Sequence, residues 1–414
     1  MGSRRRLRWG DLRQDRERRD PPSPGEWRPY GTEDPLPGPE TLLDPITHTF
    51  VGASLSASGL RRTTPLATAT LILGANAPDI DIVAQAWGPY TAVAWRRGIT
   101  HGIPALIVLP FLVAGSVLLW DRCVRARRDP EADPARPTPL VGLAALGVWT
   151  HPALDWLNTY GMRWLMPFDG RWSYGDSLFI LDPWLWLLLG GALGFQHSAR
   201  HASLLFWLIL AGGLSVPVLV AEAVPTWARE AWLIGLAGWV ALRLLLGPTP
   251  LPELAERITR GAVVAAALFI LAMVGQTFLA ERVTLAAAAE IGIDSVDDVM
   301  VGPVPANPFR SEVILRTEGV YHLGNFSWLP RPRLVLRSEP VRTHPPDPVI
   351  RAARSHPDAR NYLVWSRFPL FEVQEHSQGW TVRIQDLRFS SRRDAGGLTG
   401  LIIEVDRHLT PRRP

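Results

Sequence analysis

The stretch Thr150-His151-Pro152-Ala153-Leu154-Asp155 sets an imidazole four residues ahead of a carboxylate, near the end of an apolar run that begins at Leu140. At helical spacing such a pair shares one face, with Cβ atoms about 6 Å apart. Burying both groups without partners costs several kcal/mol, and a bound cation offsets that cost. A His–Asp hydrogen bond in a membrane core accounts for this pair alone equally well. Other residues of the same chemistry decide the matter. Asp79 and Asp81 end one apolar run, Arg97 and His101 precede the next, and Asp176 and Asp182 open a later one. His48 lies one turn into the first.

Ionisable residues in a membrane part are functional candidates by default. His48, Asp79, Asp81, His101, His151 and Asp155 form a mixed N/O ligand set without thiolate. Such a set suits a divalent metal, zinc first, with manganese or iron behind it. There are enough ligands for one or two ions, and a bridged pair can activate water for phosphoester hydrolysis. Asp79 and Asp155 are the candidate catalytic carboxylates. Arg97 is a candidate for steadying a phosphate.

These residues must be positioned by long apolar elements. The chain has 414 residues and is 47% hydrophobic with 18 Trp, but the apolar residues are concentrated between about Ile46 and Ala280. Runs at 103–120, 139–157, 178–195, 203–223, 229–247 and 261–280 each approach the roughly 20 residues that cross a bilayer. Asp44-Pro45 predicts the start of a helix reaching Gly59, with Asp as cap and Pro at the first helical position. A second run, Pro65 to Ala77, makes a shallow hairpin with it. Residues 1–40 read as a disordered, basic, Pro-rich tail. Residues 41–195 read as the metal-site core, 196–282 as further crossings and 283–414 as a soluble domain. In that domain Val313–Arg316, Arg333–Leu336, Trp380–Ile384 and Leu401–Val405 predict strands, and 348–355 a helix. The expected fold class is mainly α: a polytopic membrane helical bundle with a C-terminal α+β domain.

Alternating the crossings puts every candidate ligand on one membrane face. Loops on the opposite face are richer in arginine, as at Arg122, Arg125, Arg127 and Arg128. The positive-inside rule therefore turns the site outward. The one cysteine, Cys123, excludes an internal disulfide and a Cys-based zinc site. All 43 basic residues are Arg. They form no stripe of the kind that binds nucleic acid, so the expected partners are the lipid bilayer and a small-molecule or lipid substrate.

Asp44-Pro45-Ile46-Thr47-His48-Thr49, Pro78-Asp79-Ile80-Asp81, Arg97-Gly98-Ile99-Thr100-His101-Gly102, His151-Pro152-Ala153-Leu154-Asp155 with Asn158-Thr159-Tyr160-Gly161, and Asp176 to Pro183 occur in that order. In this the chain resembles the YdjM-like family of membrane-bound, metal-dependent hydrolases, some of them LexA-regulated. The resemblance covers about 43–195 and extends to Asn307-Pro308-Phe309-Arg310. It implies a bacterial inner (cytoplasmic) membrane protein. That family is in turn remotely similar to zinc-dependent phospholipase C, which implies phospholipase-C-like metal-site helices. Carried over, Asp79 or Asp81, His101, His151 and Asp155 hold one zinc, and His48 helps hold another bridged by Asp155. The later His and His-x-x-x-Glu ligands have no counterpart; Asp176 and Asp182 are left as substitutes or as helix caps.

The expected function is hydrolysis of a phosphoester or lipid-linked substrate by a metal-activated water. The alternatives are a non-catalytic, metal-stabilised scaffold presenting the C-terminal domain, and a transporter. A transporter places ionisable groups near mid-membrane, whereas these lie at the ends of apolar runs.

Overall fold

The computed structural model describes residues 39–247, 252–342, 347–389 and 400–412. The expected tail at 1–40 lies, but for its last two residues, outside them. Helix α1 (Pro39–Ala57) begins earlier than Asp44-Pro45 predicts and carries Pro45 inside it. Glu40-Thr41-Leu42-Leu43 has ordinary helix propensity and extends the helix past the local start signal. Then come α2 (Ala67–Asn76), a 3-10 stretch (Ala77–Trp87), α3 (Pro89–Trp95) and α4 (Ile103–Trp120). A π turn (Asp121–Arg125) joins α4 to α5 (Ala126–Arg128), and α6 (Pro137–Trp156) follows. The run at 178–195 becomes α7 (Pro183–Leu185), a π turn (Trp186–Gly190) and α8 (Gly191–His197). The helical part ends with α9 (His201–Val220), α10 (Thr226–Leu246) and α11 (Pro252–Glu290).

Three helices among the described residues are long and apolar enough to cross a membrane: Ile103–Arg128, His201–Val220 and Pro252–Glu290. They leave Phe111, Ile209 and Leu271 exposed, a surface that suits lipid tails better than water. Helix α6 is different. Its Leu140, Ala144, Gly147, Val148, His151 and Asp155 form one buried stripe at helical spacing. The stripe packs on α2 backbone to backbone. A Cβ on Gly147 would lie 2.8 Å from the Leu71 carbonyl oxygen, and one on Gly74 3.0 Å from that of Ala144. Only glycine permits so close an approach, and the approach brings the end of α2 against His151.

Helix α11 has 39 residues and runs beyond the apolar segment that sequence predicts at 261–280. Its Ala280 and Ala288 pack on Val313, Leu315 and Phe326 of a β-sheet. The C-terminal region holds two antiparallel sheets. The first contains β1 (Asp298–Val304), β2 (Asn307–Thr317), β3 (Val320–Ser327) and β4 (Arg333–Leu336) in order, with β5 (Val341–Arg342) beside β3. Helices α12 (Pro348–Ser355) and α13 (Pro357–Trp365) lead to the second, of β6 (Pro369–His376), β7 (Gly379–Asp386), β8 (Leu401–Asp406) and β9 (Pro411–Arg412). Alternation along β7 and β8 turns Val382, Ile384, Leu401, Ile403 and Val405 inward. Their core also includes Tyr90, Val93 and Tyr160 from the helical part. The C-terminal region therefore closes its core over side chains that the helices supply.

Candidate metal centre

Four elements converge on one point: α1, the 3-10 stretch after α2, the turn before α4, and the end of α6. Asp79, His101, His151 and Asp155 each present one ligand atom, all within 4.8 Å of one another. The Nε2 atoms of His101 and His151 are 3.2 Å apart. Asp155 Oδ2 is 3.3 Å from the first and 3.4 Å from the second. Asp79 Oδ1 is 3.8 Å from His101 Nε2 and 3.6 Å from His151 Nε2. A tetrahedral zinc ion with ligands at about 2.0 Å separates those ligands by about 3.3 Å. The donor set and these spacings fit a divalent cation.

Each of the four is oriented from behind, as metal ligands are. His151 Nδ1 donates to the Ala75 carbonyl at 2.7 Å. That fixes one proton on Nδ1 and turns Nε2 toward the cluster. His101 Nδ1 lies 3.0 Å from Thr100 Oγ1 and 3.4 Å from Asp81 Oδ2. Arg96 Nη2 donates to Asp79 Oδ1 at 3.0 Å. Burial alone would raise the Asp79 carboxyl, but His151 and Arg96 more than reverse this and hold it well below the usual carboxylate range.

Asp81, expected among the ligands, lies behind His101 and outside the group of four. Its Oδ2 accepts the Arg97 backbone N–H at 2.8 Å. That bond holds Arg97 at φ +51°, a left-handed conformation that costs about 1–3 kcal/mol. The expectation that Arg97 steadies a phosphate also gives way. Its guanidinium is buried and forked on Asp155, with Nη2 2.9 Å from Oδ1 and Nε 2.9 Å from Oδ2. Its Nη1 donates to Asn158 Oδ1 at 2.7 Å. Donors committed to a carboxylate at this geometry orient that carboxylate.

His48 stands beside the four. Its ring stacks on His151 with centroids 3.7 Å apart, and its Nε2 lies 3.3 Å from Asp155 Oδ1. Asp155 thus shares its two oxygens between His48 and the group of four. On this side is a cavity of about 20 Å³, lined by His48, Asp155, Asn158 and Asp182, roughly the room one water needs. Asp182 caps a helix, accepting from Trp184 N and Leu185 N. Asp176 lies elsewhere and pairs with Arg367 at 2.8 Å. Burial raises its carboxyl in spite of that arginine.

Sequence reasoning gave no role to Arg96, Asn158 or the Ala75 carbonyl. Arg96 and Asn158 stand next to motif residues, which was a usable signal. A backbone carbonyl carries none.

Residues 43–226 match the family model described as YdjM inner membrane protein. The match ends ahead of Asn307–Arg310, so it does not reach the C-terminal sheets. A protein of Bacillus subtilis (strain 168) described as uncharacterized protein YfhP is 24% identical over 189 residues, 41% of this chain and 52% of that protein. The chain thus spans about half the length of the curated relative it matches. No solved structure matches it. None of these matches is to a phospholipase C. The matched segment carries all the clustered side chains, and it is this segment, 43–226, that is similar to the YdjM inner membrane protein family.

Proposed function

We propose that this chain is a membrane-bound, metal-dependent hydrolase acting on a phosphoester or lipid-linked substrate. The observation that supports this most is the set of five spacings of 3.2–3.8 Å among two imidazole nitrogens and two carboxylate oxygens. A divalent ion bound there lowers the pKa of a coordinated water to about 7 and so supplies hydroxide. The protein's own part is to hold four donors rigidly, with Arg97 and Arg96 fixing the carboxylates. Asp79 is the most exposed of the four, at 12%, so water and substrate approach past it. His48, on the other oxygen of Asp155, is placed to hold a second ion. Elemental analysis of the purified protein, followed by assay on phosphodiesters and phospholipids, tests the reading. The expected result is one or two zinc ions per chain and chelator-sensitive turnover. Absence of stoichiometric metal overturns it.

A second reading has its own support. His101, His151 and Asp155 are almost wholly buried, and four protein ligands fill the shell of a structural zinc. A metal-stabilised scaffold would lose thermal stability to chelators and turn over no substrate on the panel.

The site is proposed to face outward from the inner membrane, on the arginine asymmetry of the loops. Cys123 is exposed at the far end of the span Ile103–Arg128, about 30 Å along the helix from Ile103 at 1.5 Å per residue. A membrane-impermeant maleimide should label it in permeabilised cells and not in intact ones. Equal labelling in intact cells reverses the orientation.

A further inference from the structure

Arg388 links the C-terminal region to the turn behind the candidate metal centre. Arg388 and Asp386 form a fully buried pair, with Nη2 2.9 Å from Oδ2 and Nε donating to Oδ1 at 2.9 Å. The free arm of the guanidinium leaves its own domain: Nη1 donates to the Thr159 carbonyl at 2.7 Å. Thr159 belongs to the turn that follows α6. Within that turn Asn158 Oδ1 accepts both Arg97 Nη1, at 2.7 Å, and the Tyr160 backbone N–H, at 2.9 Å. The Tyr160 ring lies under Arg97, with the guanidinium carbon 4.6 Å from its centroid. Trp365 of the C-terminal region packs on the same ring, centroids 5.0 Å apart, and Arg388 lies 4.6 Å from the Trp365 ring. Arg97 in turn forks on Asp155.

We propose that Arg388 is a positioning residue for the metal centre: it fixes the Asn158–Tyr160 turn, which fixes Arg97, which sets the angle of the Asp155 carboxylate. The proposal rests on the metal reading above and gives the C-terminal region a task in it. A ligand carboxylate held by a planar fork keeps its orientation only while the fork is itself held. Asn158 and the Tyr160 ring hold it from two directions; Trp365 packs on that ring, and Arg388 bonds the Thr159 carbonyl next to Asn158.

Arg367 supplies a control at the same interface. It pairs with Asp176 at 2.8 Å and Asp298 at 2.9 Å and donates to the Val299 carbonyl at 2.6 Å. None of these contacts leads to Arg97.

The test uses the full-length protein in detergent and reads cobalt(II) affinity and the cobalt visible spectrum. Arg388→Lys keeps the charge opposite Asp386, but one ammonium cannot fork on that carboxylate and also reach the Thr159 carbonyl. It should weaken cobalt binding about tenfold or more, as loss of an outer-shell partner does, and shift the spectrum. Tyr160→Leu, which leaves the Arg388–Asp386 pair intact, should do the same. Tyr160→Phe should match wild type, because the buried hydroxyl has no hydrogen-bond partner among the described residues and the ring face is kept. Arg367→Gln should lower the melting temperature while leaving affinity and spectrum alone. Arg388→Lys and Tyr160→Leu proteins with wild-type affinity and spectrum overturn the proposal, as does an Arg367→Gln protein that loses affinity equally. Wild-type protein that takes up no cobalt overturns the metal reading itself, and this proposal with it.

Discussion

Asp155→Asn should leave the purified protein without its ion and without turnover. The carboxylate is shared by several buried groups: Oδ2 reaches both imidazole nitrogens, Oδ1 reaches His48, and Arg97 grips both oxygens. Asparagine keeps the volume but removes the charge that a divalent cation needs. It also leaves the Arg97 guanidinium, 1% exposed, without its counter-ion. Breaking a buried pair from one side costs about 3–5 kcal/mol, so stability falls together with metal content. His151→Ala separates the two effects, because its partners are a carbonyl and the cluster, with no arginine behind it. It should lose the ion at a smaller cost in stability. Metal per chain, measured by elemental analysis on both variants and on the double variant, decides. Stoichiometric zinc retained in the double variant would refute the assignment.

How far the sequence carried this site follows from what makes a residue conspicuous. A charge in an apolar run is costly and therefore rare, so His48, Asp79, His101, His151 and Asp155 were visible one by one. Their convergence followed from placing each at a helix end. The choice between Asp79 and Asp81 was not legible. Residues two apart in a 3-10 turn point in different directions, and only coordinates show that Asp79 faces the imidazoles while Asp81 stands behind His101. Arg96 and Arg97, adjacent in sequence, hold different carboxylates, Asp79 and Asp155.

The C-terminal strands at 333–336, 380–384 and 401–405 were readable as short runs between Gly and Pro turns, and the helix at 348–355 was expected. What stayed hidden was non-local. Tyr90 and Tyr160 complete a core built more than 180 residues later in the chain, and no local pattern announces that. The end of α11 was misplaced because Ala286–Ala289 is helix-prone without being membrane-like. Asp386 and Arg388 look in sequence like a solvated pair at a strand end. Both are buried, packed among residues of the C-terminal region and against the Thr159 carbonyl of the helical part.

That burial makes Asp386 the point at which the C-terminal region should fail in acid. Its carboxylate accepts from Arg388, from Ser366 Oγ at 2.8 Å and from the Arg367 backbone N–H at 2.7 Å. Burial by itself would raise this carboxyl, but Arg388 and the hydrogen bonds outweigh it and hold the carboxyl below its usual range. A group with a depressed folded pKa contributes stability that is complete above its unfolded value, about 3.9. The contribution is lost as pH falls through the lower, folded value. Wild-type protein should therefore hold its stability down to about pH 4 and lose this part below it. Asp386→Asn should remove about 3–5 kcal/mol at neutral pH, because Arg388 is left buried and unpaired. The gap between variant and wild type should then close as the pH drops through the acid range. Chemical denaturation followed by tryptophan fluorescence at several pH values measures both. A gap that stays constant from pH 7 to pH 3 would show that the pair carries no charge-linked stability.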